Sequence, residues 1–206
     1  AFVDRVENSA KESLRTVTWR GAMGSGSFLH TADDSLYKRL PERYQPRHLL
    51  TLQIDMEPFE NESNFSKTFD ELFQGTAITL DAFFASAIVI RFGTNPNGWQ
   101  QYMVDNYSLS FGPWWEGLPS LPYWSGWYGR AYYPLVKESL ENLPQATEFP
   151  GKGYFLKLGD FPQNLDELQG KFPELPQSLL LIETTPQKPG SISSRSYDPA
   201  QFIPEL

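Results

Sequence analysis

The sequence predicts an α+β fold: a mainly antiparallel sheet of about five to seven strands with three to five short helices. Three observations lead there. Short runs alternate apolar and polar residues, most cleanly in LLTLQIDM. Other runs space their apolar residues three and four apart, as in SNFSKTFDELFQG and PLVKESLENL. Turn residues separate the runs, with TNPNG standing between two strand-like segments.

In chain order, AFVDRVENSAKESL places Phe2, Val3, Val6, Ala10 and Leu14 on one helical face. RTVTWR alternates Val17 and Trp19 against threonines and reads as a strand. GAMGSGS, residues 21–27, is too rich in glycine to continue it and reads as a loop. Thr31 is placed to cap a short helix over ADDSLYKRL, which Pro41 ends. LLTLQIDM then sets Leu50, Leu52, Ile54 and Met56 on one side of a half-buried strand.

An acidic loop with Glu57, Glu60 and Glu62 leads into a helix over SNFSKTFDELFQG. There Phe65, Phe69, Leu72 and Phe73 form a stripe, Asn64 or Thr68 offers the N-cap, and Gly75 suits the C-terminal stop. TAITL and ASAIVIRF follow as strands, the second apolar on both faces and so expected near a sheet centre. TNPNG is a hairpin turn into the long strand WQQYMVDNYSLSF. PLVKESLENL is a helix between Pro134 and Pro144 that buries Val136, Leu140 and Leu143. GYFLKLG is a strand, NLDELQG a short helix capped by Asn164 and closed by Gly170, and LLLIET a buried strand. Residues 1–184 read as a single α+β domain and 185–206 as an extended C-terminal tail or docking arm, anchored by Phe202, Ile203 and Leu206.

Composition removes several functions. The net charge is −8, from 17 basic and 25 acidic residues, with no Lys/Arg run. Nucleic-acid partners require a basic patch to displace counterions, so none is expected. The absence of cysteine removes disulfides, thiolate metal sites and cysteine nucleophiles. No apolar run approaches the ~20 residues of a membrane span, so membrane insertion is not expected, and no compartment is indicated.

Catalytic patterns are equally sparse. His30 and His48 lie in no metal-binding motif, no cofactor or metal is expected, and Asp55 with Glu57 reads as a solvated acidic face. GAMGSGS has neither a P-loop lysine nor G-x-G-x-x-G order. TVTWRG together with ITLDAFFASA resembles the arginine and serine strands of mono-ADP-ribosyltransferases. That resemblance implies phosphate binding by Arg20 and a nicotinamide neighbour in Ser86. The family's catalytic glutamate, in an E-x-E loop after the serine strand, has no match in this sequence, so an enzyme ranks third among the readings.

The most informative stretch is PWWEGLPSLPYWSGWYGRAYYP, residues 113–134, with four of the six Trp and four of the ten Tyr. Its prolines and glycines disfavour a long helix or an interior strand. Part of it is expected to complete the core. Trp114, Trp115, Tyr123, Trp124, Trp127 and Tyr128, with Arg130 beside them, are the candidates for an exposed aromatic surface that holds a protein or glycan partner. A non-catalytic binding module is therefore the leading reading. A structural subunit, part of an oligomer or larger assembly, is the alternative.

Overall fold

The computed structural model describes residues 14–21, 24–31, 45–46, 49–94, 100–104, 114–183, 197–198 and 200–205. It is mixed α+β with antiparallel sheets, as the sequence predicts. Backbone proximity groups the chain into two compact units, Ala1–Glu62 with Ser110–Glu116, and Ser63–Leu109 with Gly117–Leu206. The helices expected over residues 1–14 and 32–40 fall almost wholly outside the described residues.

The first unit contains a three-stranded antiparallel sheet in the order β1 (Leu14–Gly21), β2 (Gly24–Thr31), β4 (Leu49–Ile54). Residues 24–27 of the expected glycine loop are instead the start of β2, with Ser25 opposite Arg20 on one side and Gln53 on the other. Glycine suits this strand because a Cβ on Gly24 would lie 2.0 Å from the Gln53 carbonyl oxygen. Thr31 closes β2. The alternation in LLTLQIDM makes the strand, yet Leu52 is exposed while Leu50 and Ile54 are half-buried. β3 (Gln45–Pro46) pairs with β8 (Trp114–Trp115). The expected acidic loop forms a short helix, α1 (Glu57–Asn61). Pro58 in its first turn lacks the N–H that would go unbonded there, Glu57 and Glu60 complement its N-terminal dipole, and Phe59 is buried.

The second unit is built on a four-stranded antiparallel sheet in the order β10 (Ala146–Phe149), β11 (Gly153–Lys157), β9 (Ser125–Gly129), β5 (Phe84–Ala87). ASAIVIRF is divided between β5, at the sheet edge, and β6 (Ile90–Thr94), which pairs antiparallel with β7 (Gln100–Val104); apart from Thr94, the expected turn TNPNG lies outside the described residues. The helix α2 spans Phe65–Thr79, so Gly75 does not end it and TAITL is no strand. Burial overrides local preference here: Ala77 and Ile78 pack onto Trp127 with Phe73 and Phe155. The helix stops at Asp81, at φ 48°, in a Schellman motif. Ala82 N–H donates to Ala77 O at 2.8 Å and Asp81 N–H to Ile78 O at 3.2 Å. Asn64 holds the N-cap position without a side-chain cap, while Thr68 Oγ donates to the Asn64 carbonyl at 3.3 Å.

The remaining helices follow the sequence closely. α3 (Tyr133–Leu140) carries Pro134 in its first turn and buries Val136 and Leu140. α4 (Leu165–Leu168) has a complete capping box: Asn164 accepts from the Asp166 and Glu167 N–H groups, and Glu167 accepts from the Asn164 N–H. Gly170, at φ 75°, follows it as expected. LLLIET is less regular than a buried strand. It begins in a 3-10 turn, Gln177–Leu179, and only β12 (Ile182–Glu183) is strand, pairing with β13 (Tyr197–Asp198).

Candidate functional site

β9 carries the sequence SGWYG through the middle of the second unit's sheet, between β11 and β5. The prolines and glycines of residues 113–134 disfavour an interior strand, yet this segment forms one, and the close approaches around the glycines explain why. A Cβ on Gly126 would lie 2.4 Å from the Tyr123 ring, and one on Gly129 2.0 Å from the Ala82 carbonyl oxygen. Side chains alternate along a strand, so Trp127 and Tyr128 project from opposite faces.

On one face Trp127 meets Phe149 at 5.5 Å between centroids and packs with Ala77 and Phe155. Its indole N–H donates to the Ala82 carbonyl at 2.9 Å. On the other face Tyr128 meets Phe84 and Tyr123, and their two hydroxyls are hydrogen-bonded. Tyr123 also stands edge-on to Phe172 at 4.7 Å. Burial holds the Tyr128 phenol well above its ordinary pKa, with the Tyr123 hydrogen bond acting in the opposite sense. Trp124 stacks on Phe69 at 5.1 Å and donates to the Gly159 carbonyl at 2.8 Å.

Tyr123, Trp124, Trp127 and Tyr128 are each at most 2% exposed, and Trp115 is 4% exposed. These five rings therefore offer no face to solvent, and the exposed platform expected of them does not form. Each indole or phenol named above as a donor is satisfied inside the fold, so its polar edge is compatible with burial. The Trp114 side chain lies outside the described residues. Arg130 is exposed, with its Nε 3.2 Å from Asp81 Oδ1.

Two polar clusters beside the sheet were not legible in the sequence. Lys157, from β11, places Nζ 2.6 Å from Asp70 Oδ2, 3.0 Å from Ser66 Oγ and 5.7 Å from the centre of the Trp124 ring. The Ser66 hydroxyl donates to the Asp160 carbonyl. This arrangement fastens the first turns of α2 to β11 and to the loop after it. The members lie 87 and 91 residues apart, a separation that leaves no local pattern.

In the second cluster Tyr133 stacks on Tyr154 at 5.1 Å and donates to Glu148 Oε1. Glu148 is the register partner of Tyr154 across β10 and β11. The hydrogen bond to Glu148 raises the Tyr133 pKa to about 12. Burial, with Glu148 and Glu141 nearby, also raises that of Tyr154, whose hydroxyl is buried without a hydrogen-bond partner.

Of the residues singled out by the transferase resemblance, Arg20 lies in β1 of the first unit and Ser86 in β5 of the second. His30 lies in β2, and His48 lies outside the described residues. Among the described residues no group of three or more His, Asp or Glu could hold a metal ion. No helix among them is long and apolar enough to cross a membrane. Comparison with known protein families, with curated proteins and with solved structures finds no match to this chain.

Proposed function

We propose that the chain is a non-catalytic interaction module in which the segment 113–133 is scaffold and the partner meets the outer side of α2. The observation that carries this reading is the apolar surface left along that helix. Leu72 is 48% and Leu80 56% exposed, and Phe161, in the loop that Ser66 ties to the start of α2, is 59% exposed. Phe65, half-buried, precedes Leu72 by two turns on the same side. At 1.5 Å per residue Leu72 and Leu80 lie ~12 Å apart along the helix axis. Large apolar side chains grouped on a surface mark contact sites, whereas isolated ones need no explanation. The partner class is a protein, since aliphatic Leu72 and Leu80 suit another apolar protein surface better than a sugar face.

The test is site-specific photo-crosslinking in the cells that make the protein, with the probe at Leu72, at Phe161 and, as a control, at exposed Lys152. The reading requires one protein crosslinked from the first two positions and not from the third. It also requires that this product disappear in Leu72→Asp with stability changed by less than about 0.5 kcal/mol, as for an ordinary surface substitution. Equal crosslinking from all three positions contradicts it.

A further inference from the structure

We infer that residues 178–182, from the end of the 3-10 turn to the start of β12, form an acceptor edge for strand addition, filled in cis by the chain's own C-terminal segment as an exchangeable peptide ligand. One side of the acceptor is built into the domain. Leu118 N–H donates to Leu179 O and Leu181 N–H to Leu118 O, both at 2.8 Å, in a parallel bridge. Leu118, Leu179 and Leu181 are buried. The other side is taken by the C-terminal segment. Ile182 pairs with Asp198, and Phe202 N–H donates to Ser178 O at 2.9 Å, which continues the same antiparallel register four residues further.

The ligand is read by small and apolar positions. Gly117, at φ 130°, closes the site against Ala200: a Cβ on Gly117 would lie 2.5 Å from the Ala200 Cβ. Pro204 is buried and Ile203 half-buried, whereas Phe202 and Ile182 are 49% and 46% exposed along the seam. The class of ligand is thus an extended peptide with a small residue facing Gly117 and an apolar-proline pair three and four residues later. Main-chain bonds supply affinity in such strand addition, and side-chain seats supply choice.

The connection favours exchange. A hairpin needs only ~2–5 loop residues. The two paired segments are instead joined by thirteen residues, 184–196, and a covalent link of that length raises the local concentration of the C-terminal segment. This site is separate from the α2 surface, and its failure leaves that reading intact.

Fluorescence anisotropy with a labelled peptide of residues 196–206 tests it on the full chain. Ala200→Leu unseats the cis segment at Gly117 and leaves the acceptor intact. The variant is expected to bind the peptide at least about tenfold tighter than the unaltered chain, whose own segment competes at roughly millimolar effective concentration. A peptide with leucine in place of Ala200 is expected to bind at least about tenfold more weakly, again on that competition scale. Equal binding by the two chains overturns the inference. Loss of cooperative folding in Ala200→Leu overturns it too, because the segment would then be part of the core and not a ligand.

Discussion

The indole N–H of Trp127, in the centre of the sheet, donates to the carbonyl of Ala82, the residue that completes the C-terminal motif of α2, at 2.9 Å. One side chain thereby couples the central strand to the end of the helix that covers it. Trp127→Ala removes both the packing and the bond, and is expected to destabilise the chain by about 3–5 kcal/mol. Trp127→Phe keeps most of the ring and leaves the Ala82 carbonyl without its partner, at a cost of about 1–3 kcal/mol. Urea unfolding, with the midpoint read at unchanged slope, checks both values.

Helix α2 and the motif that ends it hold residues against local preference at two positions, and both are correctable. Gly75 is helical and has open space around a Cβ, so Gly75→Ala is expected to stabilise by about 0.5–1 kcal/mol. Asp81 sits in the left-handed region that glycine favours, at φ 48°. Asp81→Gly is expected to gain up to about 1 kcal/mol, less the small contribution of the exposed Arg130 pair. A thermal melt of the double variant should show near-additive gains, because six positions and separate contacts divide the sites.

The Lys157–Asp70 pair is largely removed from water, with side-chain exposures of 16% and 19%. Lys157→Met leaves the half-buried Asp70 carboxylate without its cation and is expected to cost about 1–3 kcal/mol, less than the loss of a partner from a fully buried pair. Pairing it with Asp70→Leu is expected to recover much of that loss, since an apolar pair of similar volume needs no desolvation. A double-mutant cycle in urea reads the coupling directly.

Alkaline pH should loosen the fold. The phenols of Tyr128, Tyr133 and Tyr154 all titrate above their ordinary value of 10.0, Tyr133 at about 12. A pKa raised in the folded state contributes stability that is complete below the unfolded value and lost as pH climbs through the folded one. Stability is therefore expected to hold up to about pH 10 and fall between there and pH 12. Phenolate absorbance at 295 nm should rise in two stages, the second coincident with loss of near-ultraviolet circular dichroism.

The sequence made some elements legible because their signals are local. The Asn164 to Glu167 capping box sits within four residues, and Pro134 opens α3 as its fixed φ suggests. TAITL misleads because its β-branched residues favour a strand, while Ala77 and Ile78 pack against a cluster with Trp127 and Phe155, about fifty and nearly eighty residues away. SGWYG misleads for the converse reason. Its glycines weaken a strand in isolation, yet here they make room for the Tyr123 ring and the Ala82 carbonyl. The aromatic count was legible, but where the rings point was not. A sheet covered on both faces can absorb rings from both sides of one strand, and a list of residues does not reveal the second covering layer.

The central claim, that the rings around residues 123–128 are interior scaffold, is most directly tested by fluorine NMR of the chain labelled with 5-fluorotryptophan. Signals are assigned by single Trp→Phe replacements, and a soluble gadolinium chelate is added. The account predicts that the signals of Trp115, Trp124 and Trp127 keep their linewidths. Broadening of Trp124 and Trp127 to the extent seen for free fluorotryptophan would contradict it.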